Sequence, residues 1–214
     1  MSTVLKLTDL DVSFATARGN LRAVKGVTLE LNQGESLGVV GESGSGKTVL
    51  SRATMGLLPR TATRTGSIEY NGKEISGLPA KQVRDLWGTG MAMIFQDPMT
   101  ALNPVRRIGD QLTESLKVRL GMKKDEANAK ALELMKRVRI PDPEAVMRKF
   151  PYQLSGGMRQ RIMIAIAVSC NPELLFADEP TTALDVTVQA QVLELLSELR
   201  KEFNMAMILV THDL

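Results

Sequence analysis

Near the N-terminus, apolar and polar side chains alternate around Val4, Lys6 and Thr8 and again over residues 27–31. This period of two predicts β-strands. Gly34 marks a turn, and residues 36–40 form a short apolar run ending at Gly41, the pattern of a buried strand. Residues 47–58 space their apolar positions as a helix does, and Pro59 stops them. A strand over 67–70 enters a tight turn at Asn71-Gly72, and 91–95 is a second buried strand.

The pattern changes after Pro104. Long amphipathic helices are predicted over 105–120 and 124–138, interrupted by Gly121, Pro141 and Pro143. We read residues 104–170 as a helical subdomain inserted into an α/β core formed by 1–103 and 171–214. Beyond it the pattern predicts a helix over 157–168, a strand over 174–177, a helix over 186–203 and a strand over 206–210. Strands alternating with helices imply a largely parallel sheet, whose ligands gather at the carboxyl ends of its strands.

Composition narrows the classes without changing this picture. The 214 residues include 27 Lys and Arg against 24 Asp and Glu, a net charge of +3. A nucleic-acid surface needs a concentrated basic stripe, and this excess provides none. The densest basic clusters, Arg106-Arg107 and Lys136-Arg137 with Arg139, read as solvated helix faces. Cys170 is the one cysteine, so no intrachain disulfide forms and a reducing compartment is expected. The opening residues lack the layout of a secretory signal, and no apolar stretch approaches the ~18 residues of a membrane span. By itself the chain is expected to be soluble and cytoplasmic.

Candidate chemistry begins between the 36–40 strand and the helix after it. Gly41, Glu42, Ser43, Gly44, Ser45, Gly46, Lys47 and Thr48 fit G-x-x-x-x-G-K-[ST]. Glycines take backbone angles closed to other residues, so successive N–H groups can point inward as an anion nest. Lys47 can reach the β and γ phosphates of a nucleoside triphosphate, and the Thr48 hydroxyl can ligate Mg²⁺. A second candidate is the strand ending Ala177-Asp178-Glu179. Asp178 can hold the Mg²⁺ shell, and Glu179 can act as general base on the attacking water.

A second glycine site lies at Leu154-Ser155-Gly156-Gly157-Met158. Ser155 can cap the following helix, and two glycines let backbone approach a ligand at its positive end. With this run, the whole chain resembles the ATP-binding subunit of an ABC transporter. Residues 154–157 are similar to the family's signature motif, with Met158 where Gln is common. Residues 41–48 resemble its Walker A loop and 174–178 its Walker B strand. Gln96 resembles the glutamine that senses Mg²⁺ and the nucleophilic water. Thr182-Ala183-Leu184-Asp185 resembles the D-loop, His212 the switch histidine that contacts the γ-phosphate, and Phe14 the aromatic that stacks on adenine. The wording of 95–104, of 155–160 and of 178–185 narrows the resemblance to the oligopeptide, dipeptide and nickel importer branch.

The resemblance implies a P-loop NTPase fold: a RecA-like, mostly parallel α/β core, an N-terminal antiparallel β part and the inserted helical subdomain. ATP and Mg²⁺ are the implied cofactors. A second ATPase subunit, identical or different, would place its Ser155, Gly156 and Gly157 over the ATP held by the first, with Asp185 at the same junction. Inner-membrane permease subunits would be the direct partners and an extracytoplasmic solute-binding protein an indirect one, with no nucleic acid. The chain would then sit peripherally on the cytoplasmic side of the membrane, and Gln96 with 97–109 would relay to the permease. The family continues past the histidine, so the end at Leu214 reads as a truncation, with ATP binding expected to be kept and hydrolysis weakened or lost. Competing classes are a soluble ABC-type ATPase acting on nucleic acid or ribosomes, and an ATP-binding fragment without turnover.

Overall fold

A computed structural model of the chain describes residues 2–17, 19–182 and 184–212. Two sheets organise it. The first is antiparallel, in the order β2-β1-β4-β5: β1 is Thr3–Thr16, β2 Gly19–Asn32, β4 Ala62–Tyr70 and β5 Lys73–Glu74. The second is wholly parallel, in the order β3-β8-β7-β6: β3 is Ser36–Val40, β6 Met91–Ile94, β7 Leu174–Asp178 and β8 Ala206–Thr211.

Alternation in β6, β7 and β8 divides the apolar side chains between two cores, because successive residues of a strand point to opposite faces. Met91, Met93, Leu174, Phe176, Ala206, Ile208 and Val210 face the antiparallel sheet and helix α1 (Lys47–Thr54). Ala92, Ile94, Leu175, Ala177 and Met207 face the helices. Those are α4 (Ile108–Leu120), α5 (Lys124–Arg137), α7 (Gly156–Val168) and α8 (Val186–Glu202). The parallel sheet is therefore covered on both sides, as sheets of this kind require. Short helices α2 (Ala80–Asp85), α3 (Pro98–Ala101) and α6 (Pro143–Met147) and a 3-10 turn, Pro151–Gln153, complete the described elements.

Three predicted elements are corrected. Strand β3 is not buried: it is one of the sheet's two edge strands, paired only with β8, and Val40 is 44% exposed. Helix α1 stops at Thr54, four residues before the expected end. Gly56 takes φ +67°, and Leu57 N–H turns back to the Arg52 carbonyl at 2.8 Å, a left-handed C-terminal closure that acts before Pro59 can. Helix α4 starts at Ile108 rather than 105, because Asn103 Oδ1 draws the Val105 N–H into a turn at 3.1 Å. The Asn71-Gly72 turn stands as read, with φ +49° and +71° joining β4 to β5.

Candidate nucleotide site

The loop between β3 and α1 is shaped by its glycines. Gly44 and Gly46 have φ +82° and +94°, and a Cβ on Gly46 would lie 2.2 Å from the Ala23 carbonyl oxygen. The loop thus packs directly on the backbone of β2, and only glycine permits that approach. Ser45 N–H closes on the Glu42 carbonyl at 3.2 Å. The first N–H groups of α1 have no acceptor within the helix and face the loop, so this end is primed for an anion. Lys47, 8% exposed, folds back: its Nζ donates to the carbonyls of Gly41 at 2.6 Å and Glu42 at 2.9 Å. Glu42 and Ser43 contribute backbone to the loop's outer turn. A cavity of about 520 Å³ opens beside it, lined by Gly44–Lys47 on one side and by Leu21, Arg22 and Lys25 of β2 on another.

Thr48, second in α1, donates its hydroxyl to Asp178 Oδ1 at 3.0 Å. Asp178 ends β7 and is 1% exposed. Burial pushes its carboxyl above the ordinary value, the Thr48 hydroxyl opposes this, and the neighbouring Glu179 charge pushes it higher; Arg52 and Lys47 pull it down. A buried carboxylate beside a hydroxyl is a pair of hard oxygen donors with unmet demand for a cation.

Glu179 follows with φ +45°, and its N–H donates to the Val210 carbonyl of β8 at 3.0 Å. One of its oxygens, Oε2, collects three neighbours. Gln96 Nε2 donates at 2.8 Å, Thr182 Oγ1 donates at 3.0 Å, and His212 Nδ1 lies 3.3 Å away. Gln96, Glu179 and His212 stand just past the ends of β6, β7 and β8, which are neighbours in the sheet although far apart in sequence. Among the described residues no three or more His, Cys, Asp or Glu gather into a metal cage.

The remaining candidates lie elsewhere. Ser155 caps α7, its hydroxyl accepting from Met158 N–H at 3.3 Å. The glycines that open α7 pack on the approach to α8: Cβ atoms there would meet Leu184 at 3.9 Å from Gly156 and Val188 at 3.3 Å from Gly157. Among the described residues, no hydrogen bond or ion pair joins Ser155, Gly156 or Gly157 to the 41–48 loop. Asp185 caps α8 by accepting from Val188 N–H at 3.0 Å. Ala183 of the predicted D-loop, and Asp213 and Leu214, lie outside the described residues. Phe14 is half-buried in β1 opposite Leu21 and Ala62 and packs on the apolar core; it is not among the residues lining the cavity. Sequence reasoning missed Leu21, Arg22 and Lys25, which no motif marks; it placed Thr182 in the D-loop-like run but did not foresee the bond from its hydroxyl to Glu179.

The family model for ABC transporters matches residues 24–182. The chain is 50% identical over 213 residues to the oligopeptide transport ATP-binding protein OppD of Salmonella typhimurium, covering 100% of this chain and 64% of that protein. It is 48% identical over 216 residues to the dipeptide transport ATP-binding protein DppD of Bacillus subtilis, again covering 100% and 64%. The chain therefore spans just under two thirds of the length of these relatives. Among solved structures it resembles the dimeric ATP-binding cassette MJ0796 in a post-hydrolysis state bound to ADP and Pi. That likeness has a TM-score of 0.87 at 26% identity and covers 98% of this chain and 88% of that one. The cbiO1 protein of Clostridium perfringens, part of the ABC transporter complex cbiONQ, gives 0.80 at 26% identity, covering 100% and 80%.

Proposed function

This chain belongs to the ABC transporter family, and on that premise we propose that it binds and hydrolyses ATP to energise import of peptides or a similar small solute through a membrane permease. One observation carries the reading. The side chains past three adjacent strand ends, Gln96, Glu179 and His212, meet at a single carboxylate oxygen next to the Thr48–Asp178 pair and the glycine loop. That arrangement suits cleavage of a phosphate held in the loop. The oligopeptide and dipeptide transport ATP-binding proteins OppD and DppD supply the cargo class by likeness.

In the proposed reaction Lys47 leaves the Gly41 and Glu42 carbonyls for the β and γ phosphates, and the loop N–H groups hold their oxygens. Magnesium fits the oxygen donors present: the Thr48 hydroxyl, Asp178 directly or through water, and the Gln96 amide would hold it, since Mg²⁺ takes few protein ligands and completes its shell with phosphate and water. Bound there, it would neutralise charge on the phosphates. Glu179 takes a proton from a water whose oxygen attacks the γ-phosphorus. The bond to the bridging oxygen breaks, its electron pair stays on ADP, and phosphate leaves. His212 holds the γ-phosphate, and Phe14 at the edge of β1 is assigned to the adenine.

The signature residues Ser155, Gly156 and Gly157 are assigned to a second subunit's ATP, with Asp185 at the same junction. Among the described residues no hydrogen bond ties them to the chain's own loop, which is in keeping with a head-to-tail pair, and the related MJ0796 cassette is a dimer. We assign residues 104–170 to a helical subdomain and 1–103 with 171–214 to the catalytic core. Met99 and Val105 are 56% and 80% exposed, on the segment assigned to the permease relay, and Phe95 just before it is 38% exposed. Among the described residues no helix is long and apolar enough to cross a membrane, so attachment to the cytoplasmic face is assigned to those partners.

The test is Glu179→Gln. Removing the base while keeping the shape lowers ATP hydrolysis by about two to four orders of magnitude. ATP still binds, and a nucleotide-bound pair accumulates in size-exclusion chromatography. Unchanged turnover would remove Glu179 as the base.

A further inference from the structure

Three groups meet Glu179 Oε2, and they differ in origin. Gln96 and His212 arrive from β6 and β8, and the proposed reaction gives each of them a different contact once nucleotide is present. Thr182 comes from the same turn as Glu179 and touches it twice. Its N–H donates to the Glu179 carbonyl at 3.2 Å, and its hydroxyl donates to Oε2 at 3.0 Å. The Glu179 side chain is only 12% exposed, so this bond is shielded from competing water. The backbone below it is fixed independently by the left-handed φ of +45° and the N–H bond to Val210.

We propose that Thr182 is a positioning residue for the carboxylate of Glu179, holding Oε2 so that the other oxygen remains free to accept a proton from water. This rests on the reading of Glu179 as general base. Because both contacts close within three residues, they persist when Gln96 and His212 turn to the nucleotide. The threonine methyl has no part in the bond; the hydroxyl alone carries it. A serine therefore substitutes at position 182, and an isosteric valine does not.

The experiment compares Thr182→Val, Thr182→Ser and Glu179→Gln in steady-state ATP hydrolysis. A bond to an ionised group supports roughly a tenfold to hundredfold effect. Thr182→Val lowers kcat by that factor with KM for ATP unchanged, Thr182→Ser restores it, and adding Thr182→Val to Glu179→Gln has no further effect. Full turnover in Thr182→Val beside a crippled Glu179→Gln overturns the inference and leaves the base assignment standing. Full turnover in Glu179→Gln overturns both. A second measurement needs no turnover: in nucleotide-free crystal structures the Glu179 carboxylate stays bonded to the position-182 hydroxyl in Thr182→Ser and swings away in Thr182→Val. A carboxylate left in place in Thr182→Val also overturns the inference.

Discussion

Thr48 and Asp178 are 130 positions apart in sequence, yet the threonine hydroxyl donates to the aspartate carboxylate at 3.0 Å. That bond joins the start of α1 to the end of β7, and it closes over a carboxylate that burial drives toward its neutral form. Two motifs recognised separately in sequence are thereby one site.

Asp178→Asn should make the nucleotide-free chain more stable at neutral pH. The folded-state carboxyl titrates above its ordinary value, so the folded chain carries a penalty that grows as pH rises through the raised pKa and vanishes below the unfolded one. Thermal unfolding should show the variant ahead by ~2–4 °C near neutrality, the advantage shrinking in acid. The same variant should lose most of the extra stabilisation that Mg²⁺ adds to ATP. A destabilised Asp178→Asn chain at neutral pH would contradict this.

Lys47→Ala removes the ammonium that now rests on the carbonyls of Gly41 and Glu42. Fluorescent-nucleotide titration should show ATP affinity weakened by at least about a hundredfold, the scale of losing a charged pair in a partly desolvated site. Retained micromolar binding would sink the assignment of this loop.

Two glycines of the loop should respond differently to alanine. At Gly44 a Cβ meets nothing within 4 Å, so the cost is the left-handed backbone alone, about 1–2 kcal/mol. At Gly46 the same change also drives a Cβ to 2.2 Å from the Ala23 carbonyl, and the loop must shift off β2. Chemical denaturation should rank Gly46→Ala well below Gly44→Ala, and ATP affinity should fall further in the former.

Glu74 gives a pH signature distant from the site. Burial alone would raise its carboxyl, but the Ser67 hydroxyl, Ser76 and the Ile68 N–H together bring it down to about 2. Its folded pKa lies below the unfolded one, so its contribution is present above about pH 4.5 and fades as pH falls toward 2. Solvent screening limits the effect to at most about 1 kcal/mol. Urea midpoints of Glu74→Gln should fall slightly below the parent at pH 7 and converge with it in acid.

What the sequence disclosed depended on how local each cause is. The glycine loop, the Asn71-Gly72 turn and the capping role of Ser155 are set within a few residues, and all were legible. That β6, β7 and β8 are strands was legible as short apolar runs, but which of their residues face which core was not. The exposure of β3 was not legible either: β3 and β6 are both edge strands and both apolar runs, yet only β6 is buried, because burial depends on what the rest of the chain lays over a strand. Nor was the early end of α1: Gly56 and Pro59 both break helices, and only the backbone decides which acts first. The meeting of Gln96, Glu179 and His212 on one oxygen depends on strand order, which a family resemblance supplied and local pattern did not. The cavity wall formed by Leu21, Arg22 and Lys25 carries no motif, since it arises from a hairpin folding over the loop.

Strands β6 and β7 lie side by side in register, Met91 opposite Leu174, although Ile94 and Leu174 are 80 positions apart. Neighbouring parallel strands need a connection of only a dozen or so residues. Loop-closure entropy grows with the logarithm of length, so the longer route costs only about 1.7 kcal/mol more than the short one. The fold can thus carry helices α4, α5 and α7, which supply much of the second core, inside one crossover at small entropic expense. Length can therefore be added or removed within that crossover at little cost, while the strand ends and the chemistry fixed to them keep their places.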